Sequence, residues 1–347
     1  MLPIFINLYK SIKVKHRISR VINRDRLNNE TLAKSKLVIF GPWLGEVGSE
    51  LQYWIPFIRR IRQELFPDKR VIAISRGGVE SWYKDITEEY IELFHYLSIN
   101  EYIRLREVIV QNAGLEKQLI MVSQEKSLIN KITEENRLDD YYIIHPSTMW
   151  KEVLPWAEGK AFINNILSMF SFKKFEISEK YKNIVDKFNL PRKYLAVKFY
   201  ESRLFPRTQK NILFIKNLIN LLTKKVYLVN LNNSKIDNHS SFSFDFNNQI
   251  VSITDQLKSE INLGVQTEII RRSSGFLGTN GGFSVLPAFV GKPSLNFYST
   301  TLSKFMPTYF QHEIMAKKIF DDFGIDSYTV MSTDSWRYCF NLINESI

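Results

Sequence analysis

The stretch Gly275–Ser299, GFLGTNGGFSVLPAFVGKPSLNFYS, decides the fold of the second half of this chain. A short apolar run ends at Gly278-Thr279-Asn280, and the pair Gly281-Gly282 opens an apolar segment that closes at Gly291. Lys292-Pro293 then turns the chain into a second apolar run. Glycine and proline mark turns, and short apolar runs are typical of buried elements. The stretch therefore predicts a strand, a tight turn, a short helix and a second strand.

The same turn predicts an anion site. The N–H groups of a helix that begins on glycines are free to bind an anion, and the helix dipole adds to the attraction. Phosphate is the anion that this turn favours. The alternative is a tight strand-to-helix turn without a ligand, because a short glycine turn is a weak motif. The candidate phosphate-binding residues are Thr279, Asn280, Gly281, Gly282 and Ser284.

Length and composition indicate an ordinary globular protein. The chain has 347 residues, of which 44% are hydrophobic, and this length suits two domains. Its one cysteine, Cys339, excludes an internal disulfide framework and favours a reducing compartment. Because no apolar run approaches the roughly 20 residues that span a bilayer, we expect a cytoplasmic protein.

The positive charge is concentrated at the start of the chain. The net charge is +11, and residues 1–36 hold nine Lys/Arg against Asp25 and Glu30. A nucleic-acid-binding protein usually spreads basic residues over a folded face, so we expect no nucleic-acid partner. Residues 1–36 are predicted to be a basic amphipathic leader. Either residues 1–26 lie on an anionic membrane surface, as in a peripheral membrane protein, or the leader is a solvated helix.

The first half has the pattern of alternating strands and helices. Leu37–Phe40 and Val71–Ile74 read as buried strands, and Leu51–Leu65 has helical spacing with Pro56 inside it. This order predicts a strand–helix–strand unit with parallel strands. Most of residues 80–140 reads as helix. The further strands predicted for this domain are 105–110, 119–122 and 141–144.

The second half repeats the pattern. Strands are predicted at Tyr194–Tyr200, Val226–Leu231 and Ile250–Ile253, ahead of the stretch that opens at Gly275. We therefore predict two Rossmann-like, doubly wound α/β domains, residues 37–189 and 190–330, facing a cleft. Residues 331–347 are predicted to include a C-terminal helix that packs back on the first domain.

The first glycine loop, Gly41–Glu50, contains two carboxylates, Glu46 and Glu50. Two carboxylates would repel a phosphate, so the loop suits a neutral hydroxyl, with Glu46 as general base. Glu50 competes for that role, and helix capping is the alternative explanation for both. Trp43 is expected to give a sugar a stacking face, beside Gly45.

The second domain carries the cations. Lys198 lies inside a predicted strand, and Arg203 and Arg207 follow it. A buried ammonium needs a reason, which is either an anionic ligand at the strand end or a side chain that reaches water at a sheet edge. Arginine can bind a diphosphate through two parallel hydrogen bonds.

Histidines and acidic pairs give no metal-site pattern. His145 follows the strand at 141–144 and is either an acceptor-orienting residue or a structural histidine. The other four histidines lack ligand spacing. We therefore expect no metal and no cofactor.

Together, the first loop GPWLGEVGSE and the late strand-GTNGG-helix-GKP-strand pattern resemble the two-domain GT-B glycosyltransferases. The resemblance is to the heptosyltransferase-like and O-fucosyltransferase-like branches that build bacterial surface glycans. It implies that the first domain holds the acceptor and the second the nucleotide sugar. It also implies that Glu46 is the base and that Lys198 or Arg203 matches the family's basic residue. In place of the fucosyltransferase signature H-x-R-R-G-D this chain has KFYESR, and Glu46 replaces the more usual aspartate.

The resemblance implies transfer of a sugar from a nucleotide-sugar donor to a hydroxyl of a glycan or lipid-linked acceptor in polysaccharide biosynthesis. Inversion at the anomeric carbon without a metal is expected. The alternatives are a nucleotide-sugar epimerase of the same fold and a non-catalytic scaffold at the membrane.

Overall fold

The computed structural model describes residues 34–113, 117–232, 240–242, 248–253, 257–299 and 307–330. The chain divides into two compact units, Met1–Glu176 and Ile177–Ile347. Nearly all of the predicted leader, the predicted C-terminal helix and Cys339 lie outside the described residues.

The first unit contains a four-stranded parallel sheet. Its strands are β1 (Leu37–Phe40), β2 (Arg70–Ser75), β3 (Glu89–Glu92) and β4 (Tyr141–Ile144), in the order β3-β2-β1-β4. All four residues of β1 are buried, which is typical of a central strand with helices on both faces. In register, Val38 pairs with Val71 on one side and with Tyr142 on the other.

Helices connect these strands. A short helix α1 (Val47–Ser49) continues as a π-helical segment (Glu50–Trp54) and then as α2 (Ile55–Leu65). Pro56 is the second residue of α2 and directly follows the π-helical segment, so the missing N–H of proline falls where the helical hydrogen-bond pattern changes. The other helices are α3 (Glu80–Tyr83), α4 (Ile99–Ala113), α5 (Ser123–Glu135), α6 (Pro146–Ala157) and α7 (Asn164–Leu167).

Two strand predictions in this unit are wrong. Residues 105–110 belong to α4, where Tyr102, Leu105 and Ile109 have helical spacing and are buried. Residues 119–122 form no strand and lead into α5. The sequence prediction also missed β3, whose letters EYIE include two glutamates. Tertiary contacts explain the glutamate at position 92, because Glu92 is buried and accepts hydrogen bonds from the N–H groups of Gly77 and Gly78.

The second unit contains a six-stranded parallel sheet. Its strands are β5 (Tyr194–Lys198), β6 (Tyr227–Asn230), β7 (Ile250–Ser252), β8 (Gly275–Thr279), β9 (Ser294–Phe297) and β10 (Ser327–Val330). Their order is β10-β9-β8-β5-β6-β7, which is the doubly wound order of dinucleotide-binding domains. The strand order reverses between β5 and β8. The prediction of a parallel, doubly wound α/β fold in each half is confirmed.

The helices of the second unit are α8 (Glu179–Val185), α9 (Gln209–Leu222), α10 (Asn262–Arg272), α11 (Gly282–Phe289) and α12 (Pro307–Phe323). Arg272 on α10 donates to Asp186 Oδ1 at 2.7 Å and to the Lys182 carbonyl at 3.0 Å. These contacts attach α8 to the second unit. The chain therefore divides after Glu176, earlier than the predicted boundary at residue 189.

The two units have different aromatic cores. Tryptophans dominate in the first unit, where the Trp43 and Trp54 rings stack at 5.8 Å between centroids. Phenylalanines dominate in the second, where Phe214 and Phe297 meet edge to face at 5.1 Å. None of the helices in the described part of the chain has the length and apolar character that crossing a bilayer requires.

Candidate functional site

The first candidate residues lie at the carboxyl end of β1, where α/β sheets bind ligands. Glu46 is the residue that precedes α1, and its side chain is 39% exposed. The Lys117 ammonium lies 3.6 Å from Glu46 Oε2. Glu46 is thus a partly exposed carboxylate on the ligand-binding edge of its own sheet. This geometry is compatible with its predicted role as a base, which stays a prediction.

Glu50 has a different environment, because its side chain is fully buried. Its Oε1 accepts hydrogen bonds from Ser75 Oγ at 2.5 Å and Tyr83 Oη at 2.6 Å, and Oε2 accepts one from Arg76 at 2.9 Å. Burial raises the pKa of the Glu50 carboxyl, and the Arg76 guanidinium opposes that rise. Both oxygens already have protein partners. The contacts of Glu50 therefore favour a structural role, and of the two carboxylates in this loop Glu46 is the better candidate base.

A second glycine turn, Gly77-Gly78, follows β2. Its two N–H groups point at Glu92, with Gly77 donating to Oε1 at 2.9 Å and Gly78 to Oε2 at 2.7 Å. The Tyr90 hydroxyl also donates to Glu92 Oε2, at 2.8 Å. Burial raises the pKa of Glu92, against the effect of these donors. This turn therefore binds a carboxylate of the protein itself, which leaves it unsuited to a phosphate.

Trp43 and Gly45 are structural in this arrangement. The Trp43 side chain is fully buried and stacks on Trp54, so it presents no face to a ligand. This corrects the expectation that Trp43 stacks on a sugar. A Cβ on Gly45 would lie 2.9 Å from the Trp43 ring, so glycine is needed for that close approach. The Gly45 carbonyl accepts a hydrogen bond from Arg76 at 2.6 Å.

His145 is 4% exposed and caps α6. Its Nδ1 accepts the Ser147 N–H at 3.1 Å, so Nε2 carries the proton of the neutral ring and donates to Glu125 Oε1 at 3.1 Å. The same Glu125 oxygen accepts from Gln118 Nε2 at 2.8 Å. These bonds fit the structural reading of His145, and its predicted contact with an acceptor stays a prediction.

Gln118 links this buried network to the first glycine loop. Its Oε1 accepts the Leu44 N–H at 2.9 Å, and its Nε2 donates to the Pro42 carbonyl at 2.9 Å. Gln118 is 1% exposed. The backbone on both sides of Trp43 is therefore fixed by one side chain from a segment more than 70 residues away.

In the second unit, the glycine turn lies at the point where the strand order reverses. The Thr279 hydroxyl at the end of β8 accepts the Tyr200 N–H at 3.1 Å and donates to the Tyr200 carbonyl at 3.0 Å. Thr279 therefore ties the ends of β8 and β5 together. A Cβ on Gly281 would lie 1.8 Å from the Tyr200 hydroxyl, so any larger residue would displace Tyr200 or the turn.

Helix α11 starts directly after this turn, at Gly282. Ser284 closes its first turn, because Ser284 Oγ donates to the Gly281 carbonyl at 2.6 Å. Asn280 is held from another helix, since its Nδ2 donates to Glu313 Oε2 at 2.9 Å. Glu313 also accepts from Thr329 Oγ1 at 2.6 Å. The turn residues predicted to bind a phosphate are thus brought together, and each side chain among them has a partner in the protein.

Lys198 is 2% exposed. Its Nζ donates to the Leu231 carbonyl at 3.1 Å and to Gln266 Oε1 at 3.2 Å, and it lies 4.3 Å from the centroid of the Phe283 ring. Phe283 is the second residue of α11, so this cation lies beneath the start of that helix. The alternative of an exposed lysine at a sheet edge is wrong, because β5 is a central strand.

The two predicted arginines lie in the loop after β5. Arg203 is exposed, inside a tight turn closed by hydrogen bonds between Ser202 and Phe205. Arg207 is also exposed. It donates to Glu201 Oε2 at 3.2 Å and to the Ser241 carbonyl at 2.8 Å, with its guanidinium 4.7 Å from the Phe242 ring. Their predicted contact with a diphosphate stays a prediction, and Arg203 is the less constrained of the two.

Within the described ranges, no group of three or more His, Cys, Asp or Glu side chains is arranged to hold a metal ion. The sequence prediction missed several residues that shape these sites: Arg76, Glu92, Lys117, Gln118, Tyr200 and Glu313. Tyr200 and Arg76 could have been found from their positions, because Tyr200 ends one predicted strand and Arg76 lies two residues after another. The others gave no signal, because their partners are distant in sequence.

No protein-family model matches this sequence, and no curated protein matches it. Among solved structures, the chain is similar to a family 9 glycosyl transferase from Veillonella parvula, at 12% identity and a TM-score of 0.48, covering 89% of each chain. It is similar to the ADP-heptose heptosyltransferase II of E. coli at 11% identity and a TM-score of 0.44, over 79% of this chain and 87% of that one. The chain is also similar to the E. coli heptosyltransferase WaaC with ADP, at 10% identity and a TM-score of 0.43, over 90% of this chain and 99% of that one.

Proposed function

We propose that this chain is a glycosyltransferase that moves a sugar from a nucleotide-sugar donor to a hydroxyl of a glycan or lipid-linked acceptor. The reaction would serve surface polysaccharide synthesis, with inversion and without a metal. The observation that carries the proposal is the Gly281-Gly282 turn. It starts α11 at the carboxyl end of β8, beside β5, where the strand order of the sheet reverses. Doubly wound sheets bind nucleotides at this point.

The chemistry of the turn suits a diphosphate. At the start of α11 the Ser284 N–H donates to the Gly281 carbonyl at 3.0 Å, and the Gly281 N–H donates to Ser284 Oγ at 3.3 Å. The N–H groups of Gly282 and Phe283 precede the regular hydrogen bonds of the helix, at the end that the helix dipole makes positive. Lys198 adds a positive charge beneath the same helix start, 4.3 Å from the Phe283 ring. Arg203 and Arg207 lie in the loop that follows the neighbouring strand, β5. We assign the donor diphosphate to this turn.

The first unit suits a neutral ligand instead. Its ligand-binding edge carries the partly exposed carboxylate of Glu46, and its glycine turn Gly77-Gly78 is filled by Glu92. A diphosphate would meet negative charge there. We therefore assign the acceptor hydroxyl to this unit, with Glu46 as the base.

In the proposed reaction, Glu46 takes the proton of the acceptor hydroxyl as its oxygen attacks the anomeric carbon. A new bond forms between that carbon and the acceptor oxygen. The bond from the anomeric carbon to the donor diphosphate breaks, and its electron pair leaves with the diphosphate. The α11 N-terminus and the nearby cations would balance the charge that develops on this leaving group.

A two-step experiment tests the proposal. First, the melting temperature is measured with ADP, UDP and GDP and with ADP-glucose, UDP-glucose and GDP-mannose, because a ligand that binds only the folded state must stabilise it. Second, release of nucleoside diphosphate from each sugar conjugate is measured in EDTA, with water as acceptor. We expect at least one nucleotide to raise the melting temperature and its conjugate to be cleaved. Absence of any shift at millimolar concentration would refute the donor site and favour the scaffold.

The same assay separates the transferase from an epimerase. An epimerase converts the sugar while it stays on the nucleotide, so product analysis without an acceptor would show an isomer of the donor. A transferase gives free sugar and nucleoside diphosphate. Nothing in the described contacts favours the epimerase.

A further inference from the structure

Lys117 has three contacts around the first glycine loop. Its ammonium lies 3.6 Å from Glu46 Oε2 and donates to Ser49 Oγ at 3.1 Å. It also lies 4.5 Å from the centroid of the Trp150 ring, which is buried in α6. The Lys117 side chain is only 15% exposed. A long, flexible side chain is thus held in one place by a carboxylate, a hydroxyl and an aromatic face.

The neighbouring residue fixes the backbone from which Lys117 extends. Gln118 is buried, and its amide bonds both to the Pro42 carbonyl and to the Leu44 N–H. Glu125 and His145 complete this network behind Gln118. Since Gln118 binds the loop that carries Glu46, the ammonium and the carboxylate are attached to one rigid frame. Their distance is therefore set by the fold rather than by two freely moving side chains.

We infer that Lys117 is a positioning residue for the Glu46 carboxylate. The inference rests on the proposed function, and it concerns the geometry and charge of the base. An ammonium within 4 Å favours the ionised form of a carboxylate, which is the form that accepts a proton. It also restricts Glu46 to the rotamers that keep Oε2 near it.

Ser49 and Trp150 hold the Lys117 ammonium beside Glu46. Ser49 Oγ accepts a hydrogen bond from one of the three N–H groups of the ammonium, and the face of the Trp150 ring attracts its positive charge. Both groups hold the cation without neutralising it. The charge therefore stays available to Glu46.

The test compares Lys117→Met, which keeps length and removes charge, with Lys117→Arg, which keeps charge. Lys126→Met is the matched control, because Lys126 is exposed on α5. The readout is release of nucleoside diphosphate from whichever of UDP-glucose, ADP-glucose and GDP-mannose the wild type cleaves. We expect kcat to fall ~10- to 100-fold in Lys117→Met, since a misplaced reacting group costs about that much. The donor KM should stay within about twofold, because a residue that positions the base does not bind the donor.

Two further comparisons separate positioning from a merely structural effect. Lys117→Arg should recover most of the lost kcat. The double variant of Lys117→Met with Glu46→Gln should be no slower than Glu46→Gln alone, because Lys117 acts through Glu46. Unchanged kcat in Lys117→Met, or no recovery with arginine, would overturn the inference.

A crystal structure decides the inference if the wild type cleaves none of the three conjugates. In that case the proposed function lacks support, and the positions of the Glu46 carboxylate in the wild type and in Lys117→Met are compared. Displacement of the carboxylate in the variant supports the positioning role. An unmoved carboxylate overturns it, whatever the reaction is.

Discussion

The Glu50 carboxylate and the Arg76 guanidinium form an ion pair of 2.9 Å, with side-chain exposures of 0% and 7%. Glu46, four residues earlier, makes its ion pair at 3.6 Å and is 39% exposed. Two carboxylates of one glycine loop are thus divided between the core and the ligand-binding edge. This difference between Glu46 and Glu50, the turn at Gly281 and the buried carboxyl of Glu92 lead to four testable predictions.

Glu50→Ala should destabilise the protein by about 3–5 kcal/mol, because it leaves the buried Arg76 charge without its partner. Glu46→Ala is the matched comparison. It removes a partly exposed pair and should cost no more than about 1 kcal/mol. Denaturant unfolding followed by tryptophan fluorescence measures both. Equal losses of stability in the two variants would contradict the conclusion that Glu50 is a buried structural residue and Glu46 a partly exposed one.

Glu46→Gln should reduce nucleoside diphosphate release by roughly 10²–10⁴-fold, because the amide cannot accept the proton. The melting-temperature shift caused by nucleoside diphosphates should persist, since the donor is assigned to the second unit. Glu107→Gln, an exposed position on α4, is the control. Full activity in Glu46→Gln would end the role of Glu46 as the base.

Gly281→Ala should abolish the nucleotide-induced rise in melting temperature. The added Cβ would lie 1.8 Å from the Tyr200 hydroxyl, so Tyr200 or the turn must move. The ring carbon that bears the hydroxyl lies at 3.1 Å, so removing the oxygen relieves most of the clash. The double variant with Tyr200→Phe should therefore recover part of the binding, and Tyr200→Phe alone shows the effect of the missing hydroxyl. A nucleotide shift that survives in Gly281→Ala would place the ligand elsewhere.

Glu92 should make stability depend on pH. Its folded-state pKa is raised above the ordinary value of 4.5 by burial, so the folded state holds the proton more tightly than the unfolded state. This contribution is complete below pH 4.5 and is lost as pH rises through the raised pKa. Glu92→Gln lacks it. The stability advantage of the wild type over Glu92→Gln should therefore shrink as pH increases from 4.5, in unfolding curves recorded between pH 4.5 and 7. An advantage that grows over this range would reverse the assigned direction.

Local patterns were enough to predict most strands and the position of the glycine turns. The runs LVIF and GFLGT are apolar and short, and Gly41-Pro42 follows the first while Gly281-Gly282 follows the second after Asn280. Apolar runs must be buried and glycines permit close backbone approach, so these signals need no knowledge of distant residues. The two failures have different causes. At 105–110 the buried residues Leu105 and Ile109 have helical spacing, which the strand prediction overlooked. At β3 the buried Glu92 makes the strand look polar, because its partners Gly77 and Gly78 are distant in sequence.

The sequence by itself determined two parallel α/β sheets, the turn at Gly281 and a carboxylate in the first glycine loop, because each of these depends on residues adjacent in the chain. Only the tertiary structure decided which glutamate is buried, that Trp43 lies in the core, and that Lys117 and Gln118 hold the loop. Those outcomes depend on contacts between residues 11 to 74 positions apart in the chain: Glu50 with Arg76, Trp43 with Trp54, and Gln118 with Leu44. Burial and ion pairing are properties of the assembled fold, and no local pattern of letters contains them.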